Sequence, residues 1–199
     1  MTAGGQAAVA PREVTLGILA GGRATRLGGR DKAWLPLAGV PQVLRWQRRF
    51  AVETGAILIS ANGDPARYAE HGLHVVADRT PDCGPLSGLD ALAQACTTPW
   101  LLTLPVDLVG VNECLLPTLC AGAAANGACA QDDDGPQPLV ALWRTEALRD
   151  AATQALDAGQ HPVHALQSRL GMAQVQFAGV RFGNLNTPDD LRAAGIATP

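Results

Sequence analysis

The sequence lacks the features of a membrane protein and of a general nucleic-acid binder. No apolar run approaches the roughly 20 residues that a membrane span needs, and residues 1–13 lack the charged start and apolar centre of a secretory signal. The formal net charge is only -3. Because nucleic acids and anionic membranes require a broad excess of Lys and Arg, we expect neither as a partner, and any basic site must be local.

Cysteine usage and chain length indicate one cytoplasmic domain. The five cysteines form no C-x-x-C pair and cannot all pair with one another, which is typical of reduced thiols. With 199 residues, 47% of them hydrophobic, the chain can bury a full core. Since no repeat or linker divides it, we expect a disordered tail over residues 1–12 and a single domain over residues 13–199.

Short apolar runs alternate with helix-like stretches along the chain. Alternation of this kind predicts an α/β fold, in which helices cover both faces of a mostly parallel sheet. The pattern predicts strands at residues 14–20, 56–61, 73–77, 100–104 and 139–143, extended segments at 173–177 and 180–185, and helices at 41–53, 65–70, 86–95, 113–124, 146–156, 163–170 and after residue 187.

The most informative segment is the glycine-rich stretch LAGGRATRLGGRDK, residues 19–32, which follows the first apolar run. Glycine leaves no Cβ in the way, so main-chain N–H groups can point at anionic oxygens. Arg23, Arg26 and Lys32 add positive charge. The spacing fits neither G-x-x-x-x-G-K-[ST] nor G-x-G-x-x-G, and a plain surface turn is the alternative. Because ligands of open α/β sheets gather at the carboxyl ends of strands, we predict a polyphosphate-binding loop.

The stretch L-A-G-G-x-x-x-R-L-G, with Lys32 shortly after it, resembles the motif of nucleotidyltransferases that activate sugar phosphates and pterin phosphates. Within that group the chain is most similar to the molybdopterin nucleotidyltransferase family, and in particular to the molybdenum cofactor guanylyltransferases, which join GMP to molybdopterin. The resemblance extends over about residues 14–191. It implies a Rossmann-like, three-layer α/β/α nucleotidyltransferase fold.

The resemblance also implies a set of GTP-binding residues around the glycine-rich loop. The G-P-L-x-G element at residues 84–88 opens a predicted helix, where unpaired N–H groups suit a polar ligand. We expect Lys32, Arg26 and Asp107 to be catalytic. The expected GTP-binding residues are Leu19, Ala20, Gly21, Gly22, Lys32, Ser60, Asn62, Asp78, Gly84, Pro85, Leu86 and Asp107.

Asp107 and the motif N-L-N-T-P at residues 184–188 predict a magnesium site. Asp107 follows the most hydrophobic predicted strand, and Mg²⁺ favours one or two carboxylates together with substrate phosphates; capping of the next helix is the alternative role. Asn184 and Asn186 lie on one side of an extended segment, because strand side chains repeat every second residue. The resemblance implies Asp107 and Asn186 as metal ligands, and Asn184 and Asn186 as molybdopterin-binding residues.

Several positions depart from the family pattern or invite another interpretation. Ser60 stands where the family commonly has Asn, and Gln137 stands where it often has His. The related cytidylyltransferases tend to have Ala-Gly where this chain has Gly21 and Gly22, so the pair of glycines favours the larger purine base. The run of three aspartates at residues 132–134 is typical of a solvated hairpin tip rather than of a metal site.

The resemblance therefore implies transfer of GMP from GTP to molybdopterin, with Mg²⁺ as cofactor and pyrophosphate as the second product. Transient contacts with cofactor-synthesis proteins or a molybdoenzyme chaperone are expected at hand-over of the product. Three alternatives stay open at this point: a molybdopterin cytidylyltransferase, a sugar-phosphate nucleotidyltransferase, and a non-catalytic nucleotide-binding regulatory module.

Overall fold

A computed structural model describes residues 9–21 and 31–193 of the chain. The strands are β1 (Val14–Leu19), β2 (Pro36–Leu37), β3 (Val40–Pro41), β4 (Ala56–Ser60), β5 (His74–Val76), β6 (Trp100–Pro105), β7 (Leu108–Val109), β8 (Gly127–Asp132), β9 (Gly135–Arg144), β10 (Ala173–Gln176) and β11 (Gly183–Asn184). The α-helices are α1 (Gln42–Phe50), α2 (Pro65–Ala69), α3 (Pro85–Ala95), α4 (Leu115–Gly122), α5 (Thr145–Asp157), α6 (Val163–Arg169) and α7 (Pro188–Ala193).

Seven strands form the central sheet in the order β10-β8-β9-β6-β1-β4-β5. Strands β6, β1, β4 and β5 are parallel to one another, whereas β9 runs antiparallel to both β6 and β8. The chain passes from β1 to β4 and β5 on one side and then returns to β6 on the other side of β1. Because this change of direction leaves a crevice at the carboxyl ends of the strands, it is where ligands of such sheets bind.

Apolar side chains cover both faces of the sheet. On β6, Leu102 and Leu104 belong to a core cluster shared with α1, α2 and α4, whereas Leu101 faces a cluster shared with α3, α5 and α6. This alternation follows from the two-residue period of strand side chains. The predicted fold class, a three-layer α/β/α arrangement with a mostly parallel sheet, is confirmed.

The first strands lie close to their predicted positions, but the prediction missed β8 and the small strands β2, β3 and β7. The β8 sequence GACAQD contains few residues with high strand propensity, and the segment is extended because it pairs with β9 and β10. Only residues 183–184 of the predicted extended segment 180–185 are a strand. The solvated tip predicted for residues 132–134 is wrong for Asp132, which is 2% exposed.

Two further predictions concern the N-terminal tail and the absence of a membrane span, and the structure bears on them only within the described residues. Of the predicted tail, residues 9–12 are described, and Pro11–Glu13 form a 3-10 turn before β1. The division into a tail and a single domain stays a prediction. In the part of the chain that the structure describes, no helix combines the length and the apolar composition needed to cross a membrane.

The entry of the chain into β8 depends on a glycine, and this dependence is testable. Gly127 and Gly135 have positive φ values of 121° and 126°. A Cβ on Gly127 would lie 2.0 Å from the carbonyl oxygen of Leu142, whereas a Cβ on Gly135 would meet nothing within 4 Å. We expect Gly127→Ala to lower the free energy of unfolding by about 1–3 kcal/mol more than Gly135→Ala, because only the first change adds a clash to the backbone strain. Urea unfolding of both variants measures the difference, and equal losses would contradict the clash.

Candidate active site

A cleft lies at the carboxyl ends of β1, β4 and β6, beside the start of α3. Its volume is about 960 Å³, which is within the range of small-molecule sites. Ten of the residues that the sequence predicted to bind or act on GTP line it: Leu19, Ala20, Gly21, Lys32, Ser60, Asn62, Asp78, Gly84, Pro85 and Asp107.

At one end of the cleft, two neighbouring strands fix the carboxylate of Asp78. Asn62 Nδ2 donates to Asp78 Oδ2 at 2.8 Å, and the Asp78 backbone N–H donates back to Asn62 Oδ1 at 3.2 Å. Ser60 Oγ donates to Asp78 Oδ1 at 3.2 Å. Since an ionised carboxylate has about four lone-pair sites, Asp78 keeps acceptor capacity toward the cleft. The Asp78 carboxylate is thus held in a fixed orientation, in which it can accept hydrogen bonds from N–H groups of a ligand.

Helix α3 approaches this end of the cleft very closely. Its N-cap, Gly84, has a φ of 65°, and no side chain caps the helix. A Cβ on Gly88 would lie 2.6 Å from Ser60 Oγ and 2.8 Å from Leu19 Cδ2, so glycine lets the helix rest on β1 and β4. Leu86 is fully buried in the core and does not line the cleft.

At the other end of the cleft, the Lys32 ammonium lies between two oxygen atoms. Lys32 Nζ is 2.6 Å from Asp107 Oδ2 and 2.6 Å from Asn186 Oδ1. The Lys32 and Asp107 side chains are 20% and 14% exposed, so their charges are partly withdrawn from water. The structure therefore brings the predicted catalytic lysine, the predicted metal carboxylate and one predicted asparagine to a single point.

Backbone hydrogen bonds hold Asp107 at that point. The Val106 N–H donates to the carbonyl of Leu19 at 3.0 Å, and Trp46 Nε1 donates to the carbonyl of Val106 at 3.0 Å. The Leu185 N–H donates to the carbonyl of Asp107, also at 3.0 Å. Hydrogen bonds with β1, with α1 and with the segment that leads to Asn186 thus hold the backbone around Asp107.

Asn186 is held by the start of α7. Asp190 Oδ2 accepts hydrogen bonds from the N–H groups of Asn186 and Thr187 at 3.0 and 2.7 Å, and the Asp190 N–H donates to Thr187 Oγ1 at 3.1 Å. A hydrogen bond with the Thr187 side chain, followed by these backbone bonds, holds the pKa of Asp190 below its ordinary value. Asn184, half-buried on β11, pairs with Leu108 of β7, next to Asp107.

Sequence reasoning missed Asp31 and Tyr68, which also line the cleft. Asp31 Oδ1 accepts from the Ala33 N–H at 3.0 Å and caps the 3-10 turn Lys32–Trp34. Tyr68 Oη, on α2, donates a long hydrogen bond of 3.4 Å to Asp31 Oδ2. The position of Asp31, directly before Lys32, was the available signal; nothing local marks Tyr68, because its contact comes from another helix.

Some of the predicted residues lie outside the described part of the chain. Gly22, which bears on base choice, and the predicted catalytic Arg26 are among them. Within residues 9–21 and 31–193, no three or more His, Cys, Asp or Glu side chains converge as a metal site. Asp107 Oδ2 and Asn186 Oδ1 are a pair of protein oxygens, which suits a metal that takes its other ligands from substrate and water.

The chain is similar to known proteins in both sequence and fold. Residues 16–173 match the profile of the MobA-like NTP transferase domain. A molybdenum cofactor guanylyltransferase of Cupriavidus pinatubonensis is 36% identical over 92% of this chain and 97% of that protein. Another, from Cereibacter sphaeroides, is 42% identical over 89% of this chain and 93% of that protein. The crystal structure of molybdopterin-guanine dinucleotide biosynthesis protein A from Archaeoglobus fulgidus matches 90% of this chain and 96% of its own, at 19% identity and a TM-score of 0.67.

The fold and these matches define the protein as a nucleotidyltransferase of the Rossmann-like α/β class. Within that class the chain belongs to the MobA-like NTP transferase family.

The environment of Tyr68 predicts an unusual alkaline titration. Burial, followed by the charge of Asp31, raises the pKa of Tyr68 from 10.0 to about 12. Since Tyr68 is the only tyrosine in the chain, the ultraviolet absorbance of tyrosinate reports this residue alone. The folded protein should form little tyrosinate near pH 10, and its free energy of unfolding should fall as the pH rises from about 10 to 12.

Two controls accompany that titration. Protein unfolded in guanidinium should titrate near 10, the ordinary value for tyrosine. Asp31→Asn should lower the pKa of Tyr68 in the folded protein, because it removes the neighbouring charge. A step near pH 10 in the folded wild-type protein would contradict the buried position of the hydroxyl.

Proposed function

We propose that this protein transfers GMP from GTP to molybdopterin, releasing pyrophosphate, and so forms the guanine dinucleotide form of the cofactor. The observation that carries the proposal is the arrangement of the cleft. An oriented carboxylate, Asp78, lies at one end, and Lys32, Asp107 and Asn186 meet at the other. The names of the curated relatives support the same reaction.

The Asp78 end of the cleft supports guanine as the base. Guanine presents two adjacent donors, N1–H and the N2 amino group, whereas the corresponding edge of cytosine has a single amino donor. A carboxylate accepts from two neighbouring N–H groups at once. Ser60 and Asn62 hold the Asp78 carboxylate in place from β4, so its orientation is set before the nucleotide binds. Ser60 performs this function although the family commonly has Asn there.

The phosphate end supports Mg²⁺ as the cofactor. Asp107 Oδ2 and Asn186 Oδ1 already share one cation, the Lys32 ammonium, so both oxygens reach a common point. A carboxylate and an amide carbonyl are hard oxygen donors of the kind that Mg²⁺ takes in nucleotide sites. When bound, the metal would neutralise phosphate charge. The same two residues are the ones that would hold it.

The residues of the chain align the substrates and neutralise their charge. The acceptor phosphate of molybdopterin is an anion, so its attack on the α-phosphorus of GTP requires no general base. The bond from that phosphorus to the β-phosphate oxygen breaks, and pyrophosphate leaves with the electron pair. Lys32 lies where it can neutralise this developing charge, with Arg26 as a second cation, while Asn184 and Asn186 bind the acceptor. A cytoplasmic location and transient contacts with cofactor-synthesis proteins or a molybdoenzyme chaperone complete the proposal.

One assay tests the reaction. Purified protein with Mg²⁺ and molybdopterin should release pyrophosphate from GTP, and much less from CTP, ATP or UTP. Asp107→Asn should reduce kcat by at least about 100-fold, because it removes the charge that holds Lys32 and the metal. Asp157→Asn, an exposed position at the end of α5, is the matched control and should leave turnover unchanged.

The other outcomes of this assay identify other enzymes or no enzyme. Release from CTP alone would indicate a cytidylyltransferase, and release with a sugar phosphate in place of molybdopterin would indicate a sugar-phosphate enzyme. Tight GTP binding without turnover would indicate a regulatory module. Full activity of Asp107→Asn would show that Asp107 is not a catalytic residue.

Metal binding without nucleotide provides a separate test of the phosphate end. Because the Lys32 ammonium occupies the point between Asp107 and Asn186, Lys32→Met should bind Mn²⁺ roughly tenfold more tightly than the wild-type protein in the absence of GTP. Electron paramagnetic resonance of free Mn²⁺ measures this affinity directly. Lys32→Met combined with Asp107→Asn should lose the gain, and an unchanged affinity in Lys32→Met would show that the ammonium does not compete with the metal.

A further inference from the structure

The turn between β8 and β9 is bonded to residues 179–182, which lead into β11. Asp132 Oδ2 accepts a buried hydrogen bond of 2.7 Å from the Phe182 N–H. The Asp133 N–H donates to the carbonyl of Val180 at 3.1 Å, and the Gly179 N–H donates to Asp133 Oδ1 at 3.1 Å. Two of the three consecutive aspartates therefore fix the same four-residue segment.

Asp132 is the buried member of this turn, and both of its carboxylate oxygens are fully used. Oδ1 accepts from the N–H groups of Asp134 and Gly135, each at 3.0 Å, and Oδ2 accepts from Phe182 and from Gln137 Nε2 at 3.2 Å. Burial alone would raise the pKa of Asp132, but these four hydrogen bonds lower it below its ordinary value. A buried, ionised carboxylate with four N–H donors holds its partners in one arrangement.

The bond to Phe182 fixes the backbone segment that leads to Asn184 and Asn186. Gly183 and Asn184 follow at once and pair antiparallel with β7, and the Leu185 N–H then binds the carbonyl of Asp107. This segment packs closely against the residues that follow β7, because a Cβ on Gly110 would lie 2.4 Å from the carbonyl oxygen of Arg181. The path from Asp132 to Asn186 is thus a short, hydrogen-bonded stretch of backbone.

The bond to Gln137 fixes a second wall on the same side of the cleft. Gln137 lies on β9, two residues before Leu139, which lines the cleft. Thr103 Oγ1 on β6 donates to the carbonyl of Leu139 at 3.0 Å. In the sheet order, β9 lies beyond β6 and on the opposite side of β1 from Asp78. Asp132 is therefore bonded to two segments, residues 179–182 and the start of β9. Both border the cleft on the side opposite Asp78.

We propose that Asp132 is a positioning residue for the acceptor side of the cleft. It ties the start of β9 to residues 179–182 and so sets Asn184 and Asn186 against Asp107. The proposal rests on the proposed function, in which these asparagines face the phosphate-bearing acceptor. The Asp78 end of the cleft is built from β4, β5 and α3. Since β9, β6 and β1 separate β8 from β4 in the sheet, this end should not depend on Asp132.

The test is Asp132→Asn, with Asp134→Asn as the matched control in the same turn. An amide has only one oxygen, so Asp132→Asn cannot accept all four hydrogen bonds. We expect kcat/KM for molybdopterin to fall by about tenfold, while the Kd of GTP, measured by calorimetry, changes by less than about twofold. The Asp134 side chain makes an exposed contact with Arg181 at 3.6 Å. Its loss should change neither quantity, since such surface pairs contribute little.

Hydrogen exchange provides a readout that does not depend on turnover. Peptides covering residues 179–187 should exchange faster in Asp132→Asn, while peptides covering residues 56–62 should exchange as in the wild-type protein. If the wild-type protein shows no molybdopterin-dependent turnover, the proposed function fails, and this comparison alone decides whether Asp132 holds the segment.

Two outcomes would overturn the proposal. One is unchanged exchange and unchanged kcat/KM in Asp132→Asn. The other is an equal loss of GTP affinity and acceptor kcat/KM, which is the behaviour of a residue that only stabilises the fold. If Asp132→Asn does not fold, Gln137→Met removes one donor without removing the charge. It should lower kcat/KM for molybdopterin by about threefold, with the Kd of GTP unchanged, and an unchanged value would likewise overturn the proposal.

Discussion

The contact of the Lys32 ammonium with Asp107 and Asn186 is the interaction on which the site depends. Lys32 is 75 residues from Asp107 and 154 residues from Asn186 along the chain, so no local signal can bring them together. The three residues follow the glycine-rich stretch, β6 and β11, and only the completed fold places them side by side. A lysine charge that is 20% exposed needs the nearby carboxylate, because an unpaired charge at that depth would be costly.

The central sheet places the two ends of the cleft on opposite sides of β1. Asp78 and its partners Ser60 and Asn62 come from β4 and β5, on one side of β1, whereas Asp107 follows β6 on the other. Asn186 follows β11, which pairs with β7 in a separate two-stranded sheet. Substitutions at one end should therefore change one property of the enzyme with little effect on the other. Helix α3 packs closely on β1 and β4 at Gly88.

The sequence alone predicted the parallel half of the sheet and most of the cleft, because buried strands and the polar residues at their ends are local signals. Asp107 was found in this way, whereas Asp78 was found through the family resemblance. Tyr68, Asp132 and β8 were not, since each owes its role to a partner distant in sequence. A run of aspartates gives no sign that one member is buried under four hydrogen bonds, and GACAQD becomes a strand only through its neighbours.

The antiparallel strand β9 has a consequence for how such enzymes diversify. Parallel strands need a crossover of a dozen or more residues, whereas an antiparallel pair is joined by a tight turn. The β8–β9 hairpin can accordingly lengthen, shorten or change its tip without rerouting the strands that bind the nucleotide. During evolution, the hairpin can therefore change to suit a different acceptor molecule while the nucleotide site is kept.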